Sequence, residues 1–210
     1  MKKRPRQEFV LNAQDWQGHH LMVRFDWCGD RYSHSVSAVR RDSRRLLLES
    51  LEGGADDIWP SSPPIQELSD CTIVSDTNRG QATLLVGAAG KSHWAMTLSL
   101  RDYWIGQGRR KFETDILFDV ACRVAEAPEW LGSSYRVLCG QVAVSQQLGQ
   151  ALMPADSPEC LITSDKATVK LETSSGPYPI IRYDAPVTSI ESLPDTVRWR
   201  YAMRLCAEEP

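Results

Sequence analysis

The sequence predicts a mainly β protein, an antiparallel meander of about ten strands that forms either a barrel or a two-sheet sandwich. Two long segments, 94–101 and 112–124, carry apolar side chains at every second position. This period indicates strands, because successive side chains of a strand point to opposite faces of the sheet. Apolar residues make up 42% of the 210-residue chain, which is enough for a hydrophobic core and too many for general disorder.

The strand pattern runs through most of the chain, with turn signals between its segments. In 20–27, for example, Val23 and Phe25 share one face. Gly29 and Asp30 then favour a turn, because glycine adopts positive φ and aspartate bonds to nearby backbone. Several segments are very short, so we expect about ten strands in all. The candidate strands are 8–12, 20–27, 32–39, 45–51, 71–74, 82–86, 94–101, 112–124, 134–138, 161–163, 168–172, 179–183 and 197–205.

One short helix is compatible with the sequence. The segment 141–152 is the best candidate, because Val142, Val144 and Leu148 are mixed with glutamine and alanine. Its apolar spacing is imperfect for a helix, and the first residues of this segment could equally extend a strand. A single helical turn at 65–69 is a second option.

A long loop is predicted at 52–64, where the run EGGADDIWPSSPP holds two glycines and three prolines. Proline lacks the backbone donor that a β ladder needs, so this run cannot continue a strand. We expect Ile58 and Trp59 to hold the loop against the body of the protein. Loops of more than about 12 residues are uncommon, and many of them are functional.

The predicted organisation is a disordered basic N-terminus at 1–7 and a single β-rich domain at 8–207. The basic cluster 2–6 could be a localisation or nucleic-acid tag, but a frayed terminus is the simpler interpretation. No apolar region follows it, as a secretory signal would require, and no run reaches the about 18 apolar residues of a membrane span. We therefore expect a soluble, cytoplasmic protein of bacterial type without a membrane partner.

Charge and motifs disfavour several classes of function. The net charge of −3 argues against a nucleic-acid partner, which would need a concentrated basic surface. The six cysteines form no CxxC pair, and the four histidines form no HxH or HxxxH pair, so no metal site and no cofactor are predicted. The chain has no GxSxG motif, and 106–111 lacks the GKS or GKT ending of a phosphate loop. Enzymatic activity is therefore uncertain, and a non-enzyme is favoured.

Charged strand faces supply the candidate ligand-binding residues. One face of 112–124 and one face of 197–205 are charged, and in a sheet with one solvated face these would be outer, cross-strand pairs. Alternatively they would line a tunnel for an anionic, polyphosphate-like ligand. The alternating glutamates that mark triphosphate-tunnel enzymes near the N-terminus are absent from 7–11. The candidate set is Glu113, Asp115, Asp119, Arg198, Arg200 and Arg204, together with His93 and Trp94.

Three functions remain open. The leading hypothesis is a non-catalytic binding protein with a lipocalin-like cavity for a small molecule, or with an interaction surface. Aromatic side chains would either line this cavity or fill the core themselves, and these are Phe25, Trp94, Phe118 and Trp199. The first alternative is an anion-binding or polyphosphate-binding tunnel protein or enzyme. The second is a structural homo-oligomer with Trp59 as its interface anchor.

Overall fold

The computed structural model describes residues 8–41, 43–74, 79–105, 111–154, 159–165, 167–172 and 176–206. These residues form fifteen strands and one 3-10 turn, Val187–Ser189, and they contain no α-helix. The predicted N-terminus 1–7 and most of the segment 106–111, which was compared with a phosphate loop, lie outside the described residues. The strands are β1 (Phe9–Gln14), β2 (His20–Trp27), β3 (Tyr32–Arg40), β4 (Ser43–Ser50), β5 (Glu67–Val74), β6 (Arg79–Ala89), β7 (Ser92–Ile105), β8 (Lys111–Val124), β9 (Gly132–Val137), β10 (Ala143–Ser145), β11 (Gln150–Met153), β12 (Glu159–Asp165), β13 (Thr168–Glu172), β14 (Ile180–Asp184) and β15 (Asp195–Cys206).

The strands build two antiparallel sheets, as the mainly β prediction requires. The seven-stranded sheet has the order β1-β2-β3-β4-β9-β14-β13, and the eight-stranded sheet has the order β10-β11-β12-β15-β8-β7-β6-β5. Each sheet contains a meander of four consecutive strands, β1–β4 in one and β5–β8 in the other. In the described part of the chain neither sheet closes on itself, so the architecture fits a two-sheet sandwich. No helix in this part is long and apolar enough to cross a membrane.

Large aromatic side chains fill the space between the sheets. Tyr201 of the eight-stranded sheet stacks between Phe118 and Tyr183, with ring centroids 4.7 and 4.9 Å away. The four aromatic residues considered as cavity walls are all buried in this core; Phe25 and Phe118 are fully covered, and Trp199 and Trp94 are only 1% and 3% exposed. Their positions therefore agree with the alternative that they fill the core.

A chain of hydrogen bonds crosses the core and joins the two sheets. His34 Nε2 lies 2.8 Å from the hydroxyl of Tyr135, and this hydroxyl lies 2.7 Å from that of Tyr201. Trp199 donates from Nε1 to Ser133 Oγ at 3.1 Å. Burial lowers the pKa of His34 to about 3, so the imidazole is neutral at ordinary pH. These contacts satisfy polar groups that would otherwise be costly to bury.

The helix prediction at 141–152 is wrong. This segment forms the hairpin β10–β11, in which Val144 pairs with Ala151. Gly149 adopts a φ of +61° in the turn, a conformation that glycine reaches at no steric cost. Pairing of β11 with β12 then places Ala151 and Met153 in the core, and this tertiary burial outweighs the helix propensity of the glutamines. The helical turn suggested at 65–69 is also extended, and β5 begins at Glu67.

Residues 51–66 connect β4 with β5 and contact both sheets. Ser62 Oγ donates to the backbone oxygen of Ser134 at 3.1 Å in the seven-stranded sheet. Farther along, Pro64 packs so closely on Gly87 of β6 that a Cβ at position 87 would lie 1.7 Å from the Pro64 carbonyl oxygen. The ring of Trp59 packs edge-on against the ring of Trp94, and the two ring centroids are 6.3 Å apart. The connection is therefore held to the sandwich at several points.

Candidate functional site

The outer face of the eight-stranded sheet, turned away from the seven-stranded sheet, carries seven of the eight candidate residues. The exception is Trp94, whose ring points into the core and is 3% exposed. The register places residues of β6, β7, β8 and β15 in cross-strand rows. Four such rows are Ala88–His93–Arg123–Thr196, Val86–Ala95–Ala121–Arg198, Leu84–Thr97–Asp119–Arg200 and Ala82–Ser99–Leu117–Ala202.

Beyond these rows lies a carboxylate cluster, defined as Arg101, Tyr103, Glu113, Asp115 and Arg204. Glu113 and Asp115 are only 5% and 2% exposed, although they are on the outer face. Arg101 Nη2 donates to Asp115 Oδ2 at 2.6 Å. The Tyr103 hydroxyl lies 3.0 Å from Glu113 Oε2 and 3.2 Å from Asp115 Oδ1, and it accepts a hydrogen bond from Arg204. The Arg204 guanidinium also lies over the Tyr103 ring, 5.5 Å from its centroid.

The carboxylate cluster is electrically balanced, with two carboxylates and two guanidinium groups. Burial, assisted by the neighbouring Asp115 carboxylate, raises the pKa of Tyr103, so its hydroxyl stays protonated and can donate to a carboxylate. Two rows from Asp115, Arg200 Nη2 donates to Asp119 Oδ2 at 2.5 Å. Five of the six charged candidates are therefore engaged with groups of this protein, and an external anion would have to compete with these carboxylates.

The sixth charged candidate, Arg198, pairs with Ala121, and Ala121 lines a groove of about 500 Å³ near the opposite end of the same face. Small and apolar residues form the floor of this groove, chiefly Val86, Ala95 and Ala121. Its volume lies within the range of about 300–1,000 Å³ that is typical of ligand pockets. The polar residues that line it are Gln66, Glu67, His93, Arg123 and Thr196.

Gln66 lies at one side of the groove and is held in place by three hydrogen bonds. Its backbone amide donates to the Val86 carbonyl at 2.8 Å. Its side-chain Nε2 donates to the Ala88 carbonyl, and the Ala88 amide donates to Gln66 Oε1, both at 3.3 Å. The side chain thus takes the place of a neighbouring strand beside Ala88. The close approach of Pro64 to Gly87 brings Gln66 to this position.

The groove brings His93 close to residues that the sequence did not single out. Gln66, Arg123 and Thr196 come from separate segments, and no motif links them. A usable signal was present at Ala95 and Ala121, because both are small residues at outward positions of strands whose other outward positions are mostly polar or charged. In the described part of the chain, neither Arg123 nor Arg198 forms a salt bridge.

A second enclosed polar group lies at the start of the 51–66 connection. Glu52 Oε1 accepts a hydrogen bond from Ser50 Oγ at 2.6 Å, and Ser50 Oγ accepts one from the His34 backbone amide at 2.8 Å. Glu52 Oε2 and Arg31 Nη1 are buried without a hydrogen-bond partner among the described residues. Burial raises the pKa of Glu52 to about 7, although Ser50 and Arg31 act in the opposite direction. This carboxyl can therefore exchange a proton near neutral pH.

No group of three or more histidine, cysteine, aspartate or glutamate side chains that could hold a metal occurs in the described segments. The absence of a metal and of a cofactor stays a prediction. Comparisons with protein-family models, with curated proteins and with solved structures find no match to this chain.

Proposed function

We propose that the protein is a non-catalytic binding protein that holds a small molecule in the groove beside Ala95 and Ala121. The single observation that carries this proposal is the combination of an apolar floor with polar groups around it. Sites for small molecules usually have this composition, because burial of apolar surface supplies affinity and a few polar groups fix orientation. The cytoplasmic location and the absence of nucleic-acid and membrane partners belong to the same proposal.

The groove is a better candidate for the functional site than the sites that the other two hypotheses require. An anion bound along Arg200 and Arg204 would have to displace the carboxylates of Asp119 and Asp115, which already face these guanidinium groups. A homo-oligomer anchored by Trp59 would need this ring free for a partner subunit, but the ring is partly buried and packs edge-on against Trp94 within the same chain. Neither obstacle applies to the groove, whose lining residues leave about 500 Å³ open.

The proposal is tested by filling the groove. The substitution Ala95→Leu places a larger side chain on the floor of the groove. This side chain points away from the core and fills the space of the groove. Ser99→Leu is the matched control, because Ser99 points outward from the same strand, two rows from Ala95 and outside the groove lining. The protein and both variants are purified from the cells that naturally produce it and weighed by native mass spectrometry. We expect a small molecule to be retained by the parent and by Ser99→Leu, and to be lost from Ala95→Leu.

Two results would contradict the proposal. In the first, the parent protein has only its bare mass, and an extract of small metabolites causes no NMR shift changes at the groove. In the second, a molecule is retained equally by the parent and by Ala95→Leu. That result would locate the bound molecule elsewhere in the protein.

A further inference from the structure

We propose that the ligand of the groove is an amphiphile with one anionic group, of the carboxylate type, and one apolar segment. The anionic group binds at Arg123 and Arg198, and the apolar segment lies across Ala95 and Ala121. This inference rests on the proposed function, because it names the class of molecule that the groove holds.

The charges on the outer face support an anionic group at this end. Arg101, Arg200 and Arg204 each have a carboxylate of a neighbouring strand within 4 Å. Arg123 and Arg198 have no such partner in the part of the chain that the structure describes. They are diagonal neighbours, because Arg198 lies two positions beyond Thr196, which pairs with Arg123. Diagonal residues in an antiparallel pair are about 7–8 Å apart, so two long arginine side chains can reach one anion.

The row that contains Arg198 supplies the contact surface for the apolar segment. Arg198, Ala121, Ala95 and Val86 follow one another across four neighbouring strands. Three spacings of about 4.8 Å give this row a length of about 14 Å. Because the two central side chains are methyl groups, an extended apolar chain can lie along the row without a steric obstacle. The register thus aligns an anion-binding end with an apolar track.

The charge at the far end of the row favours a ligand with a single anionic group. Glu67 pairs with Val86 and lines the groove, and its side chain is exposed. A second negative charge at that end would be repelled by this carboxylate, whereas the arginines are on the opposite side. The charge distribution therefore favours a molecule that is negative at one end only.

The test uses three probes of equal chain length, namely octanoate, octylamine and octan-1-ol. Each is titrated into the full-length protein, and binding is followed by isothermal titration calorimetry and by NMR shift changes. We expect octanoate to bind at the groove, with an affinity that falls as salt is added. Arg123→Gln should weaken octanoate binding about tenfold, since it removes a charge-assisted contact. Arg136→Gln is the control, because Arg136 lies in the other sheet and is paired with Glu49.

The outcomes separate this inference from the proposed function. Octanol or octylamine binding as tightly as octanoate, or octanoate binding unchanged in Arg123→Gln, would overturn the anionic amphiphile while leaving the groove as a binding site. Failure of all three probes would overturn it as well, and the native mass of the parent and of Ala95→Leu would then decide the proposed function separately. Preferential, Arg123-dependent binding of octanoate would support both.

Discussion

The two ends of the outer face differ in how their charges are used. In the carboxylate cluster, Glu113 and Asp115 are almost fully buried and face the side chains of Arg101, Tyr103 and Arg204. At the groove, Arg123 is exposed and has no carboxylate partner among the residues that the structure describes. Both regions belong to the same long strands, so secondary structure does not explain the difference.

The difference teaches how to separate stabilising charges from charges available to a ligand. A buried carboxylate needs internal partners, because an unpaired buried charge is very costly. An exposed guanidinium carries no such penalty and can remain unpaired until an anion arrives. The carboxylate cluster should therefore govern stability, and the groove should govern binding. Substitutions at the two ends test this division.

The largest effect is expected from Asp115→Ala in the carboxylate cluster. The change removes the acceptor of Arg101 and a close neighbour of both Tyr103 and Arg204, and it leaves the remaining buried groups underpaired. Asp115 is buried whereas the Arg101 side chain is 54% exposed, so the cost is that of lost hydrogen bonds to a charged group, about 1.5–3 kcal/mol. The free energy of unfolding, measured by urea titration with tryptophan fluorescence, should fall by about this amount.

Asp119→Ala provides the matched control for this prediction. Asp119 is on the same face of the same strand and also bonds an arginine, but both side chains of its pair with Arg200 are substantially exposed. Exposed pairs contribute about 0–1 kcal/mol, so the loss should be much smaller. Equal losses in the two variants would mean that burial does not distinguish the two pairs.

Glu52 is intermediate between these two cases. Its side chain is enclosed, but among the described residues only Oε1 of its carboxyl group has a hydrogen-bond partner. Its pKa of about 7 lies above the value of 4.5 for an unburied glutamate, so the folded state holds the proton more tightly. The stability that this proton contributes is fully present below about pH 4.5 and is lost as pH rises through 7. This loss should be absent in Glu52→Gln. The stability of the variant relative to the parent should therefore be higher at pH 8 than at pH 5. The two stability curves should diverge by up to about 1.4 kcal/mol per pH unit in that window.

The measurement is urea unfolding at several pH values between 4.5 and 8, with Glu49→Gln as the control. Glu49 is on the preceding strand, and its side chain is 44% exposed, so this variant removes the same charge from a solvated position. Parallel stability curves for the parent and Glu52→Gln would show that the carboxyl is not held protonated in the fold.

The sequence allowed the strands to be predicted far better than the groove. Period-two alternation marks β7, β8 and β15 because one face of each is buried against the other sheet. The pairing of β8 with β15 joins segments about 80 residues apart, and local patterns carry no information on such partners. The groove combines Gln66 with residues of β6, β7, β8 and β15, so it could not be predicted without that order. The burial of Glu113 and Asp115 was also not predictable, because their outward position is typical of exposed residues.

The smallest effect on stability is expected at the groove itself. Arg123→Gln breaks no salt bridge within the described segments, so the free energy of unfolding should change by less than about 0.5 kcal/mol. The same urea titrations test this, with Arg200→Gln as the counterpart at a paired position. Arg200→Gln should cost up to about 1 kcal/mol and leave octanoate binding intact, whereas Arg123→Gln should do the reverse. A large stability loss in Arg123→Gln would mean that this arginine stabilises the fold, and the division between the two ends of the face would then fail.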